Sequence, residues 1–159
     1  MNFRNFIFGV EDSLVSTVGL LSGVAIAGTP RQTIILSGVV LIFVEAFSMG
    51  IGSFLSDHSA EELTQNKPTS GYSQIKSSLV MFFSYFAAGF VPISPYLLLE
   101  SSSAFPVSVI SSLIALFALG GLVARSYGGN IIRKGLEMLL LGGVAIALGV
   151  GVGFIISHS

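Results

Sequence analysis

The sequence predicts an all-α integral membrane protein, a bundle of five transmembrane helices, and three observations predict it. Charged residues make up only 9% of the chain, where a soluble domain carries about a quarter. Mean hydropathy is +0.89. The apolar residues gather in five blocks, each near the roughly 20 residues that a helix needs to cross the hydrocarbon core. The 159 residues give one transmembrane domain, residues 1–159, with helices over about 6–28, 33–56, 75–99, 105–124 and 135–156.

The first block is stopped by Thr29, Pro30 and Arg31. Glu11 and Asp12 interrupt what would otherwise read as the apolar core of a signal peptide, so the block is read as a helix that stays. The second block ends at Ser56, before a polar connection over 57–74 with Glu61, Glu62, Lys67 and Pro68. That connection is too polar to span and is expected to form at most a short helix and a turn. Pro92 and Pro95 fall in the second half of the third block, where each removes a backbone donor, so a bent helix end is expected there. Arg125 to Lys134, with Gly128 and Gly129, joins the fourth and fifth blocks.

Loop charges set the orientation. With a cytoplasmic N-terminus, the inside holds Arg4, Lys67, Lys76, Arg125, Arg133 and Lys134 and the outside only Arg31. The 57–74 loop is then cytoplasmic and the C-terminus lies outside or in a lumen. No Trp is present, so an interfacial belt would rest on Tyr72, Tyr85, Tyr96 and Tyr127. Small residues four apart (Gly19 and Gly23, Ala46 and Gly50, Ser48 and Gly52, Gly149 and Gly153) predict close helix contacts.

Several function classes drop out. No basic run exists to hold phosphates, so nucleic acid is not a partner. The absence of cysteine removes disulfides, thiolate metal sites and cysteine nucleophiles. No HExxH, GxSxG or phosphate loop occurs, and no nucleophile stands beside a base, so an enzyme is not expected.

What remains is polar chemistry inside apolar segments, where polar atoms cost free energy unless something uses them. EAFSMGIGSFLS, from Glu45 to Ser56, is the richest stretch. Glu45, Met49, Gly52 and Ser56 share one helical face, a carboxylate and a thioether above two small residues. Glu45 either is protonated and hydrogen-bonded or lines a polar cavity. Met49 alone would be core filler, but one turn from Glu45 and near Ser48 and Ser53 it becomes a soft donor. In the first helix Glu11 reads as an interfacial group, whereas Asp12 shares a stripe with Ser16, Gly19 and Gly23 and reads as a ligand. Asp57, His58, Glu61 and Glu62 either gather metal at the cytoplasmic mouth or are merely solvated; Glu100 and Glu137 read as surface groups. Carboxylate oxygens with a thioether point to a borderline divalent cation such as Fe(II) or Mn(II), because Mg and Ca prefer all-oxygen shells. The metal ligands expected are thus Asp12, Glu45, Met49, Glu61 and Glu62. The metal is cargo, and no resident cofactor is expected. Carboxylates bind metal only when deprotonated, which links metal loading to proton release.

FGVEDSLVSTVGLLSGVA at Phe8 to Ala25, EAFSMGIGSFLS, AAGFVPISPYLLL at Ala87 to Leu99, and LIALFALGGLVAR followed by RKGLEMLLLGGVAIALG resemble the vacuolar iron transporter family across all five segments. The resemblance implies a homodimeric five-helix membrane protein that exports Fe(II) or Mn(II) from the cytosol in exchange for protons. It matches Asp12 and Met49 to the family's intramembrane metal path. Two departures stand out. The family's long Glu- and Met-rich cytosolic extension between helices two and three is short here, with Glu61 and Glu62 as its remnant, and its Asp-Gly in helix one reads Asp12-Ser13. The expected function is metal export by proton antiport from a multi-pass protein, in a plasma or inner membrane if prokaryotic and a vacuolar or other organelle membrane if eukaryotic. The competing readings are a non-transporting membrane assembly protein of the same fold and a carrier of another cation or small solute.

Overall fold

The computed structural model describes residues 2–65 and 71–158; the side chains of residues 2, 62, 64, 65, 101 and 102 lie outside that description. Five helices follow one another: α1 (Asn2–Ile26), α2 (Arg31–Gln65), α3 (Tyr72–Leu98), α4 (Ser101–Tyr127) and α5 (Ile131–Ser157). All five are long and apolar enough to cross a membrane, and each reverses direction on the last. The N-terminal end of α1 therefore shares one face of the bundle with the C-terminal ends of α2 and α4 and the N-terminal ends of α3 and α5.

The helix ends follow local chemistry. Gly28 closes α1 at φ 75° with its N–H on the Ala25 carbonyl. Gly128, at φ 74°, ends α4, and the Asn130 side chain then accepts from the Ile132 and Arg133 N–H groups to start α5. Glu100 is exposed at the start of α4, and Glu137 pairs with Lys134 at 2.6 Å and Arg133 at 3.3 Å on the flank of α5. Both serve the surface, as read. Within α3, helix continues past Pro92 and Pro95 to Leu98. The Val91 carbonyl, which Pro95 cannot serve, takes the Ser94 hydroxyl at 3.0 Å, and the Pro92 carbonyl takes that of Ser108 at 2.6 Å.

Two expectations need correction. The polar stretch read as a loop from residue 57 instead continues α2 to Gln65. Its Ala, Glu, Leu and Gln residues are good helix formers, and adding turns to a formed helix needs no new nucleus. At 35 residues the helix is about 52 Å long, well beyond a hydrocarbon core of about 30 Å. Second, Tyr85 and Tyr96 are buried in the bundle, at 0% and 1% exposure, while Tyr72 and Tyr127 are exposed at one end. An aromatic belt can use only the latter two.

In the bundle, α1 touches all four other helices and packs chiefly on α3 and α5. The contact with α5 is a glycine seam. A Cβ at Gly149 or Gly153 would overlap the carbonyl oxygens of Gly19 and Gly23, so two of the predicted small-residue pairs face each other with backbones touching. Elsewhere α5 is largely exposed, and Gly135, Gly142 and Gly153 are its buried residues. On the other side of α1, three closely packed junctions join α1, α2 and α3. Gly9 meets Ser84 and the Met81 carbonyl, Gly89 meets Ile42 and Ser13, and Gly38 meets Ile93 and Leu21.

Candidate functional site

The three-helix junction carries a polar track. Along α2, Asp57, Ser53, Met49 and Glu45 recur at intervals of four; along α3, Ser77, Met81 and Tyr85 do the same. Residues four apart share a helix face, and the two helices run in opposite directions, so the stripes can meet level by level. At the first level the Asn5 amide of α1 donates to Ser53 Oγ at 2.9 Å and Ser77 Oγ at 2.6 Å, and Ser77 Oγ donates to Asp57 Oδ2 at 2.9 Å. Arg4 Nη2 lies 3.8 Å from Asp57 Oδ1. The arginine side chain is 71% exposed and the carboxylate only 12%, so the carboxylate is fixed and the arginine can swing into water.

Met49 and Met81 form the second level. Both line a cavity of about 570 Å³ that also exposes Asn5, Ser48, Ser53 and Asp57. Gly52 and Ser56 belong to the same wall. The Ser48 and Gly52 pair, expected to pack against a helix, faces this space instead, and a Cβ on Gly52 would touch nothing.

The third level holds the carboxylates. Asp12 and Glu45 are half-buried and lie within electrostatic reach of each other and of the buried Tyr85. Tyr85 Oη is 2.8 Å from Ser16 Oγ, and Ser13 donates to the Tyr85 carbonyl at 2.7 Å, which fixes α3 against α1 at this depth. The levels agree by helix length. Asn5 to Asp12 on α1 rises about 10 Å, and Ser53 to Glu45 on α2 about 12 Å. Towards the far end, the buried hydroxyls of Thr17 and Ser22 find no hydrogen-bond partner among the described residues, so polar positions continue along α1 beyond Asp12.

The expected ligands do not form one cage. Asp12, Glu45 and Met49 fall on this track, whereas Glu61 lies on the α2 extension, about 24 Å along the helix axis from Glu45. Glu62's side chain lies outside the described residues. Among those described, no three His, Cys, Asp or Glu side chains gather into a metal-holding group. Glu11 opens with Asp12 onto a small cleft beside Phe8, Val15 and Leu141 on the bundle's flank. A larger recess of about 850 Å³ lies between α1, α3 and α4, but its walls are Leu, Val, Phe and Ala with only Lys76 and Ser84 polar, so it offers a cation no ligand set.

Four participants escaped the reading of the sequence: Asn5, Ser77, Met81 and Tyr85. For the three on α3 the interval of four was the signal; Asn5, on α1, had none.

Five helices long and apolar enough to span, with a polar track between three of them, define a multi-pass membrane protein. The chain belongs to the VIT family, whose model matches residues 3–70 and 58–154. It is similar to vacuolar iron transporter 1 of Tulipa gesneriana, 22% identical over 91% of this chain and 83% of that protein. It is likewise similar to vacuolar iron transporter 1 of Arabidopsis thaliana, 20% identical over 98% of this chain and 86% of that one. The vacuolar iron transporter homolog 1 of Oryza sativa subsp. japonica is 26% identical, over 94% and 71%. The alignment with the tulip protein spans 204 positions against 159 residues here, so the relative has segments that this chain lacks. The family match breaks into two pieces that overlap at the end of α2, which puts the missing material between α2 and α3.

Proposed function

We propose that this protein carries a divalent transition metal, Fe(II) or Mn(II), out of the cytosol in exchange for protons. The observation that carries the reading is the alignment of Asp57, Met49 and Glu45 on α2 with Asp12 on α1 along one track through the bundle. Loop charge puts the Asp57 end in the cytosol, and the fixed Asp57 carboxylate beside a mobile arginine suits first contact with a cation. Deeper, Met49 offers a soft neutral donor. Asp12 and Glu45 repel each other when both are ionised in a low-dielectric setting, and a divalent cation between them relieves that repulsion. Because they bind metal only when deprotonated, a cation arriving from the cytosol expels protons. Protons arriving from the other side release the cation towards Thr17 and Ser22.

The half-buried positions of Glu11, Asp12 and Glu45 support a symmetric homodimer, since a second copy over this flank would shield carboxylates that one thin bundle leaves partly open to lipid. The families of relatives named for vacuolar iron transport support iron as the cargo. The test is metal uptake into proteoliposomes under an imposed pH gradient. Flux that follows the gradient and falls at least tenfold in Asp12→Asn and Met49→Leu is expected. Absence of flux from folded, inserted protein would instead leave a non-transporting assembly protein.

A further inference from the structure

Met81 has no role in the function as read so far, and its surroundings are not those of a packing residue. The comparison is internal. Met138 packs into an apolar cluster with Leu14, Ala88 and Leu116, which is where the flexible thioether serves as filler. Met81, 5% exposed, instead forms the wall of the cavity that Met49 lines, where Phe8 is the one large hydrocarbon side chain and Arg4, Asn5, Ser48, Ser53, Ser56 and Asp57 supply polar groups. Its thioether therefore shares a cavity with a second thioether, hydroxyls, an amide and a carboxylate as well as with Phe8 and Arg4. Its register is also fixed. Met81 stands one turn from Ser77, whose hydroxyl is bonded to Asp57, and one turn from Tyr85, which is bonded to Ser16. Helix α3 thus cannot rotate Met81 away without breaking contacts on both sides. The Gly9 and Gly50 junctions hold α1 and α2 against this same segment of α3.

We propose that Met81 and Met49 together form a two-thioether collar, a metal site for borderline and soft divalent cations, placed between the oxygen mouth at Asp57 and the carboxylates of Asp12 and Glu45. The collar deepens the transport reading above and rests on it for its purpose, though not for its chemistry. Thioether sulfur is a neutral, polarisable donor that gives Mg and Ca almost nothing and favours softer metals. A cation leaving the oxygens of the mouth for two sulfurs passes a filter that hard cations, still carrying their water, do not pass. One thioether gives little discrimination; two lining the same cavity can make a site.

The chain has only four methionines, which makes the test direct. The full chain, labelled with methyl-13C methionine and placed in nanodiscs, is titrated with Cd2+, a soft diamagnetic probe, and assigned with single Met→Leu variants. The Met49 and Met81 signals are expected to move together along one saturation curve while Met138 stays still. Met81→Leu keeps the volume and removes the sulfur, and Cd2+ affinity should then fall on the order of tenfold, the effect of losing a supporting group at a metal. In proteoliposomes the same variant should lose preference for Cd2+ over Mn2+. A Met81 signal that stays fixed at Cd2+ saturation, or a Met81→Leu protein with unchanged affinity, overturns the collar whether or not metal is transported. Both methyls moving in a protein that carries no metal would uphold the collar and sink the transport reading alone.

Discussion

Asn5, 2% exposed on α1, donates to Ser53 of α2 and to Ser77 of α3, and Ser77 passes the chain of bonds on to Asp57. One amide thus ties three helices at the mouth of the track. Truncation leaves the buried Ser77 hydroxyl and the half-buried Ser53 hydroxyl without their donor, and interhelical hydrogen bonds in membranes are each worth on the order of 1 kcal/mol. Asn5→Ala should therefore lower stability by about 1–2 kcal/mol, read as an earlier denaturant midpoint in detergent; an unchanged midpoint would show that Asn5 does not hold the helices together. Asp12, Glu45 and Met49 were legible in the sequence because a carboxylate in an apolar block needs a use, and a thioether one turn from it shares that use. Asn5, Ser77, Met81 and Tyr85 were not. Serine and methionine are ordinary in membrane helices, and Tyr85 reads equally well as an interfacial residue. Only the register of α1 and α3 against α2 gives them a common place, and register is a tertiary property.

Among the elements, α5 depends most on one kind of residue. It is the most apolar of the five helices by mean hydropathy and the least buried, so apolar side chains do little to distinguish its bundle face from its lipid face. The seam with α1 makes that distinction through shape, since Gly149 and Gly153 let their backbone meet the carbonyls of Gly19 and Gly23. Gly149→Leu should push the helices apart at a cost of about 3 kcal/mol, as overpacking of a tight contact does. Gly143→Leu, where a Cβ meets nothing, should leave thermal unfolding in detergent within about 0.5 kcal/mol of the parent. Equal effects at the two positions would mean that α5 is not seated on the seam. The spacing of glycines announced that close contacts exist, but not which pairs meet, because Ser48 and Gly52 have the same spacing and face a cavity. The far end of α2 was misread for a different reason. Polarity marks where a helix leaves lipid, and it says nothing about where the helix ends.

The whole molecule is ordered by its alternating helices and by where its cations lie. Arg4, Lys76, Arg125, Arg133 and Lys134 sit at the end where α1 starts, and Arg31 at the other, where it caps α3 through the Tyr96 and Leu97 carbonyls. Basic residues resist translocation, so the first end should be cytosolic, and the mouth formed by Asn5, Ser53 and Asp57 opens there. The export proposed above requires this orientation, in which the cavity opens to the cytosol. The absence of cysteine makes the prediction clean to check with an impermeant maleimide on intact cells or sealed vesicles of known sidedness. Ser126→Cys, exposed at the end of α4, and Ser56→Cys, exposed in the cavity wall, should label from the cytosolic side only; Ser103→Cys, exposed at the start of α4, should label from the opposite side only. Mn2+ should slow labelling at Ser56→Cys, beside the proposed metal route, and leave Ser126→Cys unaffected. Labelling of Ser56→Cys from the side opposite the cytosol would reverse the orientation, and with it the export reading, while leaving the track itself in place.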